Sequence, residues 1–321
     1  MTGVARIVVA GVSVESGLRN SLVSAFRRGG STVSVLDLGA CSPAWVMSAA
    51  FRQPVLALGI RREFRRRIDL LAEDGPADLV LVFKGAFVDP RLVDYLRSRL
   101  GCPVACWNPD SPFDDAVSNY GAGIPRAVAA YDIYITWAND VAERLSTVAK
   151  RVLVIPFAWD QELMQPLPGR GVAADRIAFI GTGTRERGAM LQSLAHLRPV
   201  VFGARWPNID GVEIRPPVMG AEFCRIAGEA RWNINLLRTQ NSRSHNMRTF
   251  ELVGAGGTQV APYTDDHRTY LANDPRTILF RDKKQLESIL RSDPADRPPR
   301  SPTLLEGHTY NDRAKQLLEV L

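Results

Sequence analysis

Short apolar runs alternate with amphipathic stretches along the chain. The runs are three to six residues long and mostly apolar, and the stretches between them carry apolar residues at helical spacing. Continuous short runs are typical of parallel strands that helices bury on both faces. The pattern therefore predicts an α/β fold. In the first half we expect strands at 7–12, 33–38, 79–83, 104–107, 133–137 and 152–156.

The alternation is interrupted at one Pro- and Gly-rich segment. Residues 165–171 read Gln-Pro-Leu-Pro-Gly-Arg-Gly, a composition typical of a linker. Two α/β domains, with a cleft between them, are expected at 1–165 and 172–307. The amphipathic stretch 308–321 is expected to form a C-terminal helix that packs back on the first domain. Strands of the second domain are expected at 177–180, 199–202, 232–237, 258–261 and 278–280.

Composition is that of a globular protein. The chain has 321 residues, of which 45% are hydrophobic and 23% charged, enough for two separate cores. No apolar run approaches the roughly 20 residues that a membrane span needs. The first apolar run follows only Arg6 and precedes Glu15, which favours a strand over a signal peptide. We expect a cytoplasmic protein. Its four cysteines are scattered, and we expect them to be reduced core thiols.

Arginine dominates the basic residues and clusters at one place. The net charge is +6, and only 5 of the 40 basic residues are lysines. Residues spaced by four share one side of a helix, so the cluster is either a solvated face or a contact with an anionic surface, whether lipid headgroups or a polyanionic acceptor. No stable nucleic-acid partner is predicted. The cluster comprises Arg61, Arg62, Arg65, Arg66 and Arg67.

The segment from Asn246 to Pro262 carries the most specific signal. It reads as a short helix that begins after a polar loop, contains Glu251 and ends at a glycine cluster before the strand at 258–261. The first amides of a helix lack intrahelical partners and suit a phosphate, and a carboxylate one turn on suits a sugar hydroxyl. These features indicate part of a nucleotide-sugar site.

A second loop after a predicted strand is rich in glycine and arginine. Residues 181–188 read Gly-Thr-Gly-Thr-Arg-Glu-Arg-Gly, directly after the run at 177–180. Glycine allows a close approach of the backbone to a ligand, and a guanidinium group neutralises a diphosphate. Tight strand-to-helix turns also use glycine for backbone reasons alone. We predict a phosphate contact by Gly181, Thr182, Gly183 and either Arg185 or Arg187.

The polar loop 238–245 leads into the helix that contains Glu251. Arg248 lies in the first turn of that helix, where the dipole favours an anion, so an arginine suits this position if an anion shares the site. A surface ion pair is the simpler interpretation. Glu251 is flanked by apolar residues and needs a partner, either a core arginine or a ligand. His245 and Asn246 are further candidates for the donor site.

Asp110 is the candidate in the first half, because it follows the predicted strand at 104–107. Side chains beyond the carboxyl ends of parallel strands line ligand sites. Asp110 is therefore predicted to orient or deprotonate an acceptor hydroxyl, and a simple turn residue before Ser111-Pro112 is the alternative. The chain has no His, Cys or carboxylate residues at usable metal-ligand spacing, so no metal site is predicted.

Taken in order, these residues resemble the GT-B glycosyltransferases, most closely the spore-maturation CgeB-like group related to glycosyltransferase group 1. The resemblance runs from about residue 80 to the C-terminus. The motifs that carry it are Trp107...Asp110-Ser-Pro, Val154-Ile-Pro-Phe157-Ala...Pro166, Phe179-Ile-Gly181...Glu186-Arg187, Asn246-Met-Arg248-Thr-Phe-Glu251...Gly256-Gly257 and His308-Thr-Tyr310...Arg313.

The resemblance implies two Rossmann-like domains that face a central cleft, with the donor bound mainly by the second domain and the acceptor by the first. Glu251 matches the second Glu of the family's paired-Glu motif, which holds the donor ribose. Arg187 resembles the basic residue that contacts the diphosphate. The first Glu of the pair belongs eight residues before Glu251, where this chain has Arg243. The resemblance further implies transfer without a bound metal and with retention of configuration.

We therefore expect a glycosyltransferase of the hexosyltransferase type that moves a sugar from a nucleotide-diphosphate sugar to an acceptor hydroxyl, without a further cofactor. The acceptor is a natural product, a polysaccharide or envelope precursor, or a modified nucleic acid. Arg243 supports a second hypothesis, a non-catalytic nucleotide-sugar-binding or partner protein. A dehydrogenase is disfavoured because the turn from Gly11 to Gly17 lacks G-x-G-x-x-G. The catalytic candidates are Asp110, Arg187 and Arg248, and the donor-binding candidates are Gly181, Thr182, Gly183, Arg185, His245, Asn246 and Glu251.

Overall fold

A computed structural model describes residues 5–11, 17–37, 54–113, 123–165, 167, 171–294 and 302–320. The chain divides into two compact units. Unit 1 comprises Met1–Pro156 and Asn311–Leu321, and unit 2 comprises Phe157–Tyr310. In the described ranges, none of the helices has the length and apolar character needed to cross a membrane.

Unit 1 is built on a six-stranded parallel sheet. Its strands are β1 (Arg6–Gly11), β2 (Thr32–Asp37), β3 (Leu79–Phe83), β4 (Val104–Trp107), β5 (Ile133–Thr136) and β6 (Val152–Val154). They lie in the order β2-β1-β3-β4-β5-β6. Strands β3, β4 and β5 are buried along their whole length, as expected for central strands covered by helices on both faces.

Five described helices connect these strands, namely α1 (Leu18–Arg28), α2 (Pro54–Ala72), α3 (Pro90–Leu100), α4 (Gly123–Ala127) and α5 (Asn139–Leu145). Helix α3 shows how the local sequence fixes its ends. The Asp89 side chain accepts a hydrogen bond from the Leu92 amide, Pro90 occupies the first turn, and Gly101 ends the helix with a left-handed φ of 67°.

Unit 2 repeats this architecture. Its strands are β7 (Ile177–Ile180), β8 (Val200–Phe202), β9 (Glu213–Arg215), β10 (Trp232–Ile234), β11 (Gln259–Pro262) and β12 (Thr277–Phe280). The order β12-β11-β10-β7-β8-β9 reverses between β7 and β10. Connections run in opposite directions from these two strands, so their carboxyl ends form the switch point where doubly wound sheets bind ligands.

The helices of unit 2 are α6 (Arg185–Ser193), α7 (Gly220–Glu229), α8 (Arg248–Gly254), α9 (Asp265–Leu271) and α10 (Lys283–Arg291). They cover both faces of the sheet. One apolar core includes Leu191 of α6 and Leu290 of α10, and a second includes Phe223 of α7 and Leu252 of α8. The predicted α/β fold is confirmed in both units.

The boundary between the units lies at Pro156, whereas the Pro- and Gly-rich composition had suggested 165–172. Hydrogen bonds explain the difference. The Trp159 amide donates to the His308 carbonyl at 3.1 Å, and the Tyr310 amide donates to the Trp159 carbonyl at 3.2 Å. The Trp159 ring also packs on Gly254, where an added Cβ would lie 2.1 Å from a ring carbon. These contacts place the residues after Pro156 in unit 2.

The C-terminal helix α11 (Tyr310–Leu318) belongs to unit 1 from Asn311 onwards. Within that unit, Nε of Arg313 donates to the Pro156 carbonyl at 2.9 Å. Nε of Arg28 in α1 donates to the Asn311 side chain, also at 2.9 Å. The helix is therefore anchored by side-chain hydrogen bonds near the start of its unit 1 portion.

Three cysteines, Cys102, Cys106 and Cys224, are buried and unpaired, as predicted. Burial raises the pKa of the Cys106 thiol to about 12. That thiol therefore stays protonated and unreactive at neutral pH. Cys41 lies outside the described residues.

Candidate functional site

The carboxyl ends of β7 and β10 meet at the switch point of unit 2. Trp232 of β10 pairs with Ile177 of β7, so the loops that follow the two strands are neighbours. One loop is the Gly181–Thr184 turn before α6, and the other is the polar loop that precedes α8. Most of the residues that the sequence singled out lie on these two loops.

The Gly181–Thr184 turn is shaped by its contacts with the loop after β8. A Cβ on Gly183 would lie 2.3 Å from the Arg205 carbonyl oxygen. Nε1 of Trp206 donates to the Gly181 carbonyl at 2.9 Å. Gly183 is thus required by close backbone packing, which is the backbone explanation that the sequence left open. Thr184 caps α6, because its side chain accepts from the Arg187 amide at 3.3 Å.

Arg187 connects the two loops at the switch point. Its Nε and Nη2 both donate to the Leu236 carbonyl just after β10, at 3.1 and 2.6 Å. Its Nη1 donates to the Thr182 carbonyl at 3.0 Å. The guanidinium carbon lies 5.3 Å from the centre of the Phe179 ring. Arg187 is therefore fixed in position before any ligand arrives.

Arg187 lies in an environment that disfavours its charge. Burial, together with repulsion from Arg238 and Arg248, lowers the pKa of its guanidinium to about 10. Its hydrogen-bond acceptors in the described part of the chain are all carbonyl groups. Arg238 has no hydrogen bond or ion pair of its side chain to any described residue. An anion bound beside these groups would relieve the repulsion.

Arg248, the first residue of α8, is the third cation. Its Nε donates to the Ile180 carbonyl at the end of β7, at 3.2 Å. Its guanidinium carbon lies 4.5 Å from the centre of the Phe223 ring. Its Nη1 forms an ion pair with Oε2 of Glu251, one turn along the same helix.

Glu251 is almost fully buried, with an exposed fraction of only 3%. Arg248 gives it the partner that a buried carboxylate requires. The sequence left a core arginine and a ligand hydroxyl as alternatives, and the structure contains the arginine. Three guanidinium groups and one carboxylate thus share this region, which leaves an excess of positive charge at the switch point.

The start of α8 differs from the expectation of open amides for a phosphate. Asn246 closes it, because its side-chain oxygen accepts from the Thr249 amide at 3.2 Å. The side-chain nitrogen of Asn246 donates to the Asn235 side chain at 2.8 Å. Asn246 therefore has hydrogen-bond partners on both atoms of its side-chain amide, and its predicted contact with the donor stays a prediction.

His245 also has a packing role where the sequence suggested a donor contact. Its exposed fraction is 0%, and Nε2 accepts from the Phe157 amide at 3.2 Å. The other ring nitrogen, Nδ1, lies 2.9 Å from Oδ2 of Asp266. Since Nε2 accepts, the proton resides on Nδ1 and is donated to Asp266. Both ring nitrogens are thus engaged inside unit 2.

A second buried histidine, His267, provides a pH test of this interior. Burial lowers its pKa to about 4. The unfolded chain, with a histidine pKa near 6.5, then binds more protons, so stability falls as pH drops from about 6.5 towards 4. Below about pH 4, this histidine lowers the free energy of unfolding by roughly 3 kcal/mol relative to neutral pH. Urea unfolding at pH 7.5, 6 and 5 measures this slope. The variant His267→Asn should flatten it, and an unchanged slope would contradict the assignment.

Arg185 and Arg187 lie on different faces of α6, since two helical steps separate them by about 200°. Arg185 is exposed and lines an open groove of about 510 Å³ with Arg205 and Asn208. Arg187 alone of the pair contacts the loop after β10. Arg243, on the loop before α8, is exposed. Arg185 and Arg187, which the sequence left as alternatives, thus have different surroundings in the structure.

In unit 1, Asp110 lies beyond the carboxyl end of β4, as expected. Its Oδ2 is 2.7 Å from Nζ of Lys84, which follows β3. The Asp110 amide donates to the Asn108 side chain at 3.0 Å, the local turn expected before Ser-Pro. Lys84 has a left-handed φ of 61°, a rare conformation for a residue with a side chain. Asp114 and Asp115 lie outside the described residues.

The sequence places Lys84 directly after the predicted strand at 79–83 but does not predict its ion pair with Asp110, and it does not single out Arg238. Both follow directly after an apolar run that forms a strand, which is the signal that could have identified them. In the described part of the chain, no group of three or more His, Cys, Asp or Glu residues is arranged to hold a metal ion.

Comparison with known proteins shows what the chain is similar to. Residues 185–319 match the family model described as "Glycosyl transferase-like". A search of curated protein sequences found no match. Solved structures match over nearly the whole chain.

AviGT4, a glycosyltransferase involved in avilamycin A biosynthesis, superposes with a TM-score of 0.64 at 13% identity over 98% of this chain and 96% of its own. The sucrose-phosphate synthase of Thermosynechococcus elongatus gives 0.61 at 12% identity over 99% and 94%. The UDP-GlcNAc 2-epimerase of Methanocaldococcus jannaschii, solved with UDP-GlcNAc and UDP, gives 0.51 at 9% identity over 99% and 100%. The chain therefore has the two-domain α/β fold of GT-B proteins, and residues 185–319 are similar to glycosyltransferase-like sequences.

Proposed function

We propose that this protein is a glycosyltransferase that takes its sugar from a nucleotide-diphosphate donor bound at the switch point of unit 2. The observation that carries the proposal is the group Arg187, Arg238 and Arg248, with Glu251 paired to Arg248. The family match over 185–319 includes all four residues and supports the same reaction class.

The charge of the leaving group explains why such a site suits sugar transfer. When the bond between the sugar C1 and the diphosphate oxygen breaks, negative charge accumulates on the diphosphate. Fixed cations stabilise that state more than the ground state and so accelerate transfer. Arg187 is already held by carbonyl groups, so little reorganisation is needed. Arg238 and Arg248 supply the further charge.

Glu251 is proposed to hold the donor ribose, with Arg248 as its partner when no donor is bound. A ribose hydroxyl would donate to the carboxylate while Arg248 turns to the diphosphate. We expect Glu251→Gln to weaken donor binding by about 1.5–3 kcal/mol, because a charge-assisted hydrogen bond is lost. Calorimetry with the nucleotide tests this, and unchanged affinity in a folded variant would exclude the ribose role.

The acceptor is proposed to bind at unit 1, where Asp110 receives the proton of the attacking hydroxyl. Attack on the sugar C1 from the face opposite the diphosphate would invert its configuration. Retention therefore requires the acceptor oxygen to bond to C1 on the same face from which the diphosphate leaves. Lys84 neutralises Asp110 in the free protein, so the acceptor hydroxyl must displace or share that contact. Retention of configuration is the outcome that the resemblance implies, and the anomeric signal of the product by NMR tests it.

Transfer is proposed to proceed without a metal ion, because arginine side chains supply the positive charge that Mg²⁺ supplies elsewhere. Activity should therefore survive treatment with excess EDTA. A loss of activity that Mg²⁺ or Mn²⁺ restores would contradict this proposal. Such a result would direct attention to Asp110 and to its neighbours Asp114 and Asp115.

A non-catalytic nucleotide-sugar-binding protein is the second candidate function. Arg243 favours it, because the resemblance places a glutamate there for contact with the donor sugar. Incubation with UDP-, GDP-, dTDP- and ADP-sugars, with analysis for free nucleoside diphosphate, distinguishes the candidates. Release of the diphosphate by hydrolysis or transfer supports the enzyme. Tight binding without release, for every sugar that binds, supports the second candidate.

A further inference from the structure

The arginine cluster of α2 has an inward part and an outward part. Arg61 lies on the inward part, with Nη1 3.3 Å from Oδ2 of Asp89. Arg67 forms an ion pair with Glu63 at 3.0 Å. Arg66 pairs with the same Glu63 carboxylate at 2.8 Å. Glu63 therefore offsets part of the charge of Arg66 and Arg67, and Arg62 and Arg65 add further positive charge on the solvent side of the helix.

Arg62, Arg65 and Arg66 are the exposed members of the cluster. Steps of three and four residues put them on one side of the helix. The opposite side consists of Ile60, Phe64 and Ile68, whose exposed fractions are 1%, 0% and 0%. The three arginines therefore point away from the core of unit 1.

Two leucines flank these arginines at the same spacing. Leu58, four residues before Arg62, has an exposed fraction of 65%, and Leu70, four residues after Arg66, has 49%. Leu58 is the most exposed large apolar residue in the described part of the chain. We call Leu58, Arg62, Arg65, Arg66 and Leu70 the α2 patch.

The acidic residues beside the α2 patch are ion-paired: Glu63 with Arg66 of the patch and with Arg67, and Asp69 with Arg99. Hydrogen bonds from Arg66 and Arg67 lower the pKa of Glu63 to about 2. Asp69 accepts from the Tyr95 hydroxyl at 2.6 Å and from Arg99 at 2.7 Å. Residues 61–67 contain five arginines and one carboxylate, so this part of the helix keeps a net positive charge at neutral pH.

We propose that the α2 patch docks on the surface of an anionic lipid bilayer. The arginines complement the charge of the headgroups, and the leucines insert at the boundary between headgroups and acyl chains. A nucleic acid would use the arginines but would gain little from two exposed leucines, whereas an anionic bilayer offers both a charged surface and an apolar interior. The combination therefore favours lipid over other polyanions. This inference does not depend on the proposed function.

Vesicle flotation of the full chain tests the proposal. The protein should float with vesicles of phosphatidylglycerol and phosphatidylcholine at low salt, and not with phosphatidylcholine alone. Binding should weaken as salt screens the charges. The double variant Arg62→Ala/Arg66→Ala should lower the partition coefficient by about tenfold or more. Leu58→Ser/Leu70→Ser should lower it several-fold with no change in net charge.

Arg268→Ala/Arg291→Ala is the matched control, because it removes the same charge from exposed positions in unit 2. It should leave flotation close to that of the unmodified protein, and all variants should keep their melting temperature. Absence of flotation with anionic vesicles would overturn the proposal. An equal loss of flotation in the control variant would also overturn the proposal. Loss in the arginine variant without loss in the leucine variant would indicate a general polyanion surface and would also overturn it.

Discussion

Arg187→Ala is expected to lower turnover at saturating donor by about 10²–10³-fold, the usual effect of removing one preorganised group that stabilises developing charge. Nucleoside binding should change much less, because the guanidinium group acts on the diphosphate. Steady-state kinetics with varied donor separates the two effects, since a contact made in the transition state lowers kcat and kcat/KM together.

The matched control for this prediction is Arg185→Ala. Arg185 lies on the same helix with the same charge, but it lines a groove together with Gly183 and Thr184 and makes no contact with the Leu236 carbonyl that holds Arg187. It should leave turnover within a few-fold of normal. Arg187 also links two loops by hydrogen bonds, so its loss can affect folding as well as catalysis. The turnover of Arg187→Lys should therefore be compared with that of Arg187→Ala at a temperature where both variants are folded. Normal turnover in Arg187→Ala would transfer the catalytic role to Arg238 or Arg248.

Asp110→Asn is expected to lower sugar transfer by about 10²–10⁴-fold, the range typical of lost general-base catalysis. Donor affinity should remain normal, because the proposed donor residues lie in unit 2. Transfer assays and calorimetry on the same preparation measure both quantities. A fall in donor affinity would place Asp110 in the donor site or in the fold.

Lys84→Met supplies the complementary variant. It removes the ammonium group that lies 2.7 Å from Asp110 but leaves the carboxylate. If Asp110 is the base, Lys84→Met should retain far more transfer activity than Asp110→Asn. Equal losses in the two variants, with lowered melting temperatures, would indicate that the ion pair is structural and that the base lies elsewhere.

The strands of both sheets could largely be predicted from the sequence because their burial on both faces requires continuous apolar runs. Strand β9 was missed because it lacks such an apolar run. Glu213 and Arg215 flank a single apolar residue, because β9 lies at the sheet edge and pairs only with β8. Helix α9 was missed because it begins with the polar residues Asp265 and Asp266, for which Thr264 provides the cap.

The candidate site could be predicted only as a set of loops. Sequence spacing indicated that Arg187, Arg248 and Glu251 lie near strand ends, and they do. It could not show that Glu251 pairs with Arg248, because an (i, i+3) contact depends on which rotamers the surrounding packing allows. It also could not show that His245 is buried, since its partners Phe157 and Asp266 are distant in sequence.

The switch point of unit 2 is proposed to bind the diphosphate of a nucleotide sugar through Arg187, Arg238 and Arg248. Calorimetric titration with the diphosphates UDP, GDP, dTDP and ADP, and with the corresponding nucleosides, measures this binding. We expect at least one diphosphate to bind much more tightly than its nucleoside, and this difference to shrink in Arg238→Ala but not in the exposed-loop variant Arg243→Ala. Failure of all four diphosphates to bind, or an undiminished difference in Arg238→Ala, would contradict the account.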